Sequence, residues 1–189
     1  METKKIIIGL TGPISGGKGI VADYLKEKGF FYSSTSDRVR EELKERGIEI
    51  TRENLQKVAD ELRKEFGPNV LASRTYDKVV NQKISCSVID SIRGEAEVDF
   101  LKQKPNFYFI GVTAPRKLRY KRMVERNRES DPISWEDFVK VDKADFKSGK
   151  GKFGRNMKVC LKKADILIEN TGTLEEIKNK IEKCLKKFF

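Results

Sequence analysis

Between an apolar run and a helix-forming run near the start of the chain lies Gly12-Pro13-Ile14-Ser15-Gly16-Gly17-Lys18-Gly19. Glycines at this density let the backbone wrap closely around a bound group and adopt positive φ. The amides of such a turn converge on an anion, and the positive end of the following helix reinforces them. Lys18 adds a full charge where the outer phosphates of a nucleoside triphosphate would lie. Seven of the eight positions agree with the spacing G-x-x-x-x-G-K-[ST] of phosphate-binding loops, and the eighth is Gly19. Gly19, followed by Ile20, removes the hydroxyl that usually holds magnesium, which leaves that ion to phosphates, water and an acidic residue. The chemistry indicated is that of ATP with Mg2+.

Other residue types narrow the mechanism. The chain has no histidine, which excludes Ser-His-Asp and Cys-His catalysis, His-ligated zinc and any imidazole base. Asp90 closes the apolar run Cys86–Ile89, and Arg93 follows three residues on. A carboxylate at the carboxyl end of a buried strand sits where ligands bind in open α/β sheets. The stretch Arg116 to Lys163 holds 16 basic and 7 acidic side chains, nine of the chain's eleven net positive charges. Such a field attracts polyanions, and the guanidinium fork matches phosphate geometry. Arg116, Arg119, Arg122, Arg126, Arg128 and Arg155 are therefore candidate phosphate ligands; lysines in the same stretch suit a solvated surface equally well.

The elements that must position these groups follow from apolar periodicity. Short β-branched or aromatic runs near residues 5, 30, 87, 109 and 167 are five expected strands. Between them lie helices over Ile20–Lys28 and Ser36–Arg46, one capped by Thr51 and closed by Gly67-Pro68, and Asn69–Asn81. Further helices are expected near Ala96–Lys102, after Pro115, at Ser134 with Asp137 as its capping box, and at Thr173 with Glu176. Alternating strands and helices imply parallel βαβ units covered on both faces. With 189 residues this is a single domain, expected over 1–189. Lys147 to Gly154 is Gly- and Lys-rich and is expected to be mobile. Three cysteines without paired or metal-binding spacing, no run long enough to cross a bilayer and no signal-like start point to a cytoplasmic protein that makes no membrane contact.

Several motifs resemble those of adenylate kinases and related nucleoside monophosphate kinases. There the loop likewise ends Gly-Lys-Gly, although a Thr usually follows where this chain has Ile20. Ser34-Thr35-Ser36-Asp37-Arg38-Val39-Arg40 is similar to their acceptor motif S-T-G-D-x-x-R, in which the Thr and Arg hold the acceptor monophosphate. A plain helix N-cap by Ser36 or Asp37 is the structural alternative. Val88-Ile89-Asp90-Ser91-Ile92-Arg93 resembles their D-G-F-P-R segment, shortened by one residue. The resemblance implies that Asp90 orders water around magnesium and that Arg93 grips the acceptor phosphate. It places Glu97 where those kinases have a Gln that reads adenine; a carboxylate only accepts, so Glu97 would favour a base offering an amino group. Arg122 and Arg126 resemble the arginine pair at the base of the lid, with Arg155 as a candidate lid arginine. Ala164 to Gly172 and Ile8 to Gly12 look like dephospho-CoA kinases, in which the segment holding Asn170 and Gly172 lies near the nucleotide base. The His-Pro pair and the P-L-L-x-E of that family are missing.

The resemblance implies a P-loop NTPase fold: a three-layer α/β/α sandwich with a parallel five-stranded sheet in 2-3-1-4-5 order. It adds an acceptor-binding helical region over about 34–82 and a lid over about 127–153. The implied reaction moves the γ-phosphoryl of ATP·Mg2+ to a small acceptor, a nucleoside or deoxynucleoside monophosphate. In this scheme residues 12–20 hold ATP, while Thr35, Asp37, Arg40, Arg93 and Glu97 hold the acceptor. Lys18, Asp90, Arg93, Arg122 and Arg126 act at the transferred group, and Asp37 and Asp90 share magnesium through water. Dephospho-CoA kinase is the alternative enzyme. A nucleic-acid-binding P-loop ATPase or nucleotide switch is the alternative of another class. A monomer or weak homodimer is expected.

Overall fold

The β-branched run at the start forms β1 (Ile6–Thr11), buried along its whole length. A strand covered on both faces has no solvent side to mark with polar residues, so its sequence is continuously apolar. The computed structural model describes residues 5–127, 134–146 and 153–188. Four further strands join β1: β2 (Phe31–Ser34), β3 (Cys86–Asp90), β4 (Phe107–Thr113) and β5 (Ile166–Glu169). All pairings are parallel and the order is β2-β3-β1-β4-β5, as expected. The register sets Ser34 of β2 beside Asp90 of β3, so both strands end at one level.

Successive side chains of β1 serve opposite layers. Ile8 and Leu10 join a core with Val21 and Leu25 of α1 (Lys18–Glu27) and Ile177 and Ile181 of α9 (Leu174–Phe188). Ile7 points the other way, into a core with Ala72 of α4 (Val70–Val80), Leu101 of α5 (Glu95–Lys102) and Cys160 of α8 (Met157–Lys162). This is a three-layer α/β/α sandwich, as expected. A third apolar cluster belongs to helices alone: Val39 and Leu43 of α2 (Thr35–Glu45), Val58 and Leu62 of α3 (Arg52–Phe66), and Val70 and Leu71 of α4. It stands the α2–α4 group beside the carboxyl end of β2.

Helix ends follow local chemistry. Thr51 Oγ1 accepts from the Asn54 amide, and Thr173 and Glu176 form a reciprocal capping box. The cap of α2 is corrected: Ser34, not Ser36 or Asp37, accepts from the Asp37 amide. The helix expected at Ser134 is longer than a short cap would imply. It is α7 (Trp135–Phe146), whose Trp135 and Phe138 pack on Tyr120 of α6 (Arg116–Arg126). The sequence reading missed α8, whose six residues are too few for a periodicity to register. Of the stretch expected to form a lid, 135–146 are α7; residues 128–133, with Arg128, and 147–152, with most of the stretch expected to be mobile, lie outside the described residues.

Candidate functional site

The turn after β1 is held in a shape that only glycine tolerates at two points. A Cβ on Gly12 would lie 2.1 Å from the Val112 carbonyl oxygen. Gly17 has φ 103°, in the left-handed region, and a Cβ there would meet Asn170 Nδ2 at 2.0 Å. Of the amides from Ile14 to Gly19, Gly16 alone donates to a backbone carbonyl among the described residues, that of Pro13 at 3.1 Å. The others are left for an anion. Ser15 Oγ is buried and without a hydrogen-bond partner among the described residues. A buried hydroxyl left unsatisfied is costly, so a polar ligand at the loop is the natural completion.

Lys18, the first residue of α1, reaches back across the turn. Its Nζ lies 3.1 Å from Asp90 Oδ1 and 3.3 Å from Oδ2. Tyr32 donates its hydroxyl to Asp90 Oδ2 at 2.9 Å, and the Ser91 amide donates to Oδ1. Asp90 is thus a buried carboxylate with three donors at the mouth of the sheet. Burial, and next the charge of Asp90, push the Tyr32 hydroxyl well above the ordinary tyrosine range, so it stays a proton donor. Tyr32 escaped the sequence reading, because a tyrosine on a short strand carries no signal beyond that of a core residue.

The loop opens into a cleft of about 1260 Å³. Its lining includes the residues from Gly12 to Gly19 with Ile20, and Arg122 and Arg126 of α6. Thr35, Asp37 and Arg40 of α2 line the same cleft, with Arg93 and Arg155. Thr35 Oγ1 donates to the Ser91 carbonyl at 2.7 Å, which ties α2 to the end of β3. Arg40 folds onto its own helix, donating to Ser36 Oγ at 2.9 Å and Asp37 Oδ1 at 3.2 Å. The α2–α4 group adds a wall absent from the sequence reading: Arg52, Gln56, Asp60 and Arg63 recur along one face of α3 toward the cleft. Arg155 is largely desolvated. Burial first, and Arg93 beside it, lower its pKa, while Asp145 raises it.

This geometry gives three groups of the sequence-derived candidates other contacts. Glu97 is no base reader: it is fully buried and does not line the cleft. Its Oε2 accepts from the Arg93 and Gly94 amides, both at 2.9 Å, and its Oε1 from Arg63 Nη2 at 3.1 Å. It caps α5 and anchors Arg63. Asn170 and Gly172 do not line the cleft either. Asn170 braces the loop from behind, donating from Nδ2 to the Gly16 carbonyl at 3.4 Å, and its own carbonyl accepts from Arg122 at 3.0 Å. Arg116 and Arg119 are committed to the fold. Both grip the buried Asp142 of α7, Arg119 through two bonds at 2.6 and 3.1 Å, Arg116 through one at 2.8 Å. Arg119 also donates to the Ile14 carbonyl at 3.2 Å.

Magnesium would find a sparse set of protein donors. Asp90 is the one buried carboxylate at the loop, Asp37 is paired with Arg40, and Gly19 offers no hydroxyl. Among the described residues no group of three or more His, Cys, Asp or Glu side chains could enclose a metal ion. That donor set fits an ion held by phosphates and water with one carboxylate, the usual manner of Mg2+ beside a nucleotide.

Comparison with known proteins agrees with the fold and the loop. A family model described as an AAA domain matches residues 8–142. The UPF0200 protein PH1008 of Pyrococcus horikoshii is 34% identical over 187 residues, covering 96% of this chain and 97% of that protein. Among solved structures, TT1252 from Thermus thermophilus superposes with a TM-score of 0.62 at 20% identity, over 98% of this chain and 99% of that one. Shikimate kinase from Acinetobacter baumannii, in complex with shikimate, gives a TM-score of 0.54 at 16% identity, over 98% and 95%. No described helix is long and apolar enough to cross a membrane.

Proposed function

This chain belongs to the UPF0200 family and carries an AAA domain, and we propose that it transfers the γ-phosphoryl group of ATP to a nucleoside or deoxynucleoside monophosphate. One observation carries the reading. The glycine loop with Lys18 and Asp90 shares a single cleft with Thr35, Arg40, Arg93 and Arg155. A hydrolase needs only the loop; a transferase also needs groups for a second anion in the same cleft.

In this reading the amides of residues 14–19 other than that of Gly16, together with Lys18, bind the donor phosphates, and Arg122 and Arg126 lie beside them. Lys18 exchanges its contact with Asp90 for the β- and γ-phosphates. Asp90, held in place by Tyr32, then accepts hydrogen bonds from the water around the ion. Mg2+, when bound, neutralises charge on the two outer phosphates. Arg40 and Arg93 hold the acceptor's phosphate and offset its repulsion from the incoming group. An oxygen of the acceptor phosphate attacks the γ-phosphorus, the bond from that phosphorus to the β–γ bridging oxygen breaks, and ADP and a nucleoside diphosphate leave. Such chemistry depends on positioning and charge neutralisation, which suits a chain without histidine and with many arginines.

A panel of AMP, CMP, dCMP, UMP and dephospho-CoA, each with ATP·Mg2+, tests this directly. Acceptor-dependent ADP formation with one monophosphate, and an Arg93→Ala variant that raises the KM of that acceptor far more than that of ATP, are expected. Turnover only with dephospho-CoA would reassign the acceptor. ATP hydrolysis that ignores every acceptor would remove the transferase.

A further inference from the structure

Two buried side chains, Arg119 and Asn170, stay out of the cleft, yet each holds one carbonyl of the glycine loop. Arg119 is itself held in place. Its Nε donates to the Ala114 carbonyl at 2.9 Å, and Nη1 and Nη2 each donate to Asp142, which leaves the second Nη1 proton for the Ile14 carbonyl at 3.2 Å. Asn170 is fixed from three sides. Its amide donates to the Thr113 carbonyl at 2.7 Å, its carbonyl accepts from Arg122 Nη1 at 3.0 Å, and its Oδ1 faces Arg122 Nη2 at 3.5 Å. Nδ2 is thereby turned to the Gly16 carbonyl at 3.4 Å.

The two carbonyls alternate along the loop, and that alternation matters. A trans peptide points its C=O and the next N–H in opposite directions, and the loop has no cis bond. A donor behind the Ile14 carbonyl therefore turns the Ser15 amide toward the cleft, and the donor behind the Gly16 carbonyl does the same for the Gly17 amide. Neither amide donates to a backbone carbonyl among the described residues. Ser15 and Gly17 are also left-handed, at φ 56° and 103°, whereas Gly16 between them is not. Such alternation gathers successive N–H groups into a concave nest for an anion. Ser15 carries a Cβ, which disfavours that backbone region, so the shape needs holding from outside. The two side chains supply the hold before any ligand arrives.

We propose that Arg119 and Asn170 are positioning residues which, from behind the loop, aim the Ser15 and Gly17 amides at the phosphates of the bound nucleotide. This rests on the phosphotransferase reading only for what the phosphates belong to. The test uses the full chain and inorganic tripolyphosphate, which has the phosphates and no base. Its readouts are the Kd and the backbone amide proton shifts of Ser15 and Gly17, since a bond to an anion moves such a proton downfield. In the unmodified protein both protons should move downfield on one binding curve. A proton that stays still overturns the proposal, and so does a failure to bind. Asn170→Ala keeps the backbone bonds to Thr113 and Arg122 and removes the donor. Its Kd should rise about tenfold, and the Gly17 shift at saturation should fall by at least about half while that of Ser15 is kept. Arg119→Met, combined with Asp142→Asn so that no buried carboxylate is stranded, should raise the Kd similarly and do the opposite to the two shifts. Any folded variant whose Kd stays within about twofold, or whose two shifts shrink equally, overturns the proposal, because the side chain is then idle or a general support. A variant that fails to fold leaves the other to decide, and the shifts of the unmodified protein decide if neither folds. Absence of turnover with every acceptor would remove the phosphotransferase and leave these shifts as they are, so the two failures are told apart.

Discussion

Glu97→Gln changes one carboxylate oxygen to an amide nitrogen at a point where three donors converge. The glutamine oxygen can keep the Arg93 and Gly94 amides, now at 2.9 Å. Its NH2 then faces Arg63 Nη2, donor against donor, at what is now a 3.1 Å ion pair. Removing one member of a buried ion pair costs about 3–5 kcal/mol. Asp60 keeps a weak hold on Arg63 at 3.4 Å, so the lower end applies. A loss of about 3 kcal/mol lowers Tm by about 6–12 °C in a chain of this size. Thermal unfolding followed by circular dichroism reads that shift, and the acceptor panel run on the same variant reads base preference. The expected result is a clear fall in Tm with the order of preferred bases unchanged. A Tm within about 2 °C of the parent, together with an altered base preference, would falsify the structural role given to Glu97.

Other outcomes follow from the same geometry. Lys18→Ala should lower turnover by a factor on the order of a thousand with the fold intact, as steady-state kinetics and circular dichroism will tell; ordinary turnover would remove the loop from the mechanism. Tyr32→Phe takes one donor from Asp90 and should cost about 1.4 kcal/mol, roughly tenfold in kcat, with a small change in Tm. An unaltered kcat would mean that Asp90 needs no help from Tyr32. Gly19→Ser places a Cβ where nothing lies within 4 Å, so the fold should accept it and gain about 0.4–1 kcal/mol from a stiffer unfolded chain. The new hydroxyl should also lower the Mg2+ concentration needed for half-maximal turnover; a destabilised protein would contradict the open space seen at Gly19.

Much of this molecule is local and therefore visible in one dimension. Five short apolar or aromatic runs, their spacing and the turns between them mark the five strands, and β1, buried on both faces, is apolar nearly throughout. The glycine loop is legible for a similar reason: Gly12 and Gly17 stand where any Cβ collides, and Lys18 is covalently next to the turn it serves. Thr35, Arg40, Asp90 and Arg93 border the cleft because each lies at or within two turns after the end of β2 or β3, and strand ends can be read from periodicity. Tertiary contacts decided the rest. Glu97 looks like a base-reading acid until Arg63, 34 positions away, meets it in the interior. Arg116 and Arg119 look like phosphate ligands until α7 brings Asp142 to them. A charge declares its type in the sequence, but its partner is chosen by folding, and burial sets whether that partner or a ligand satisfies it.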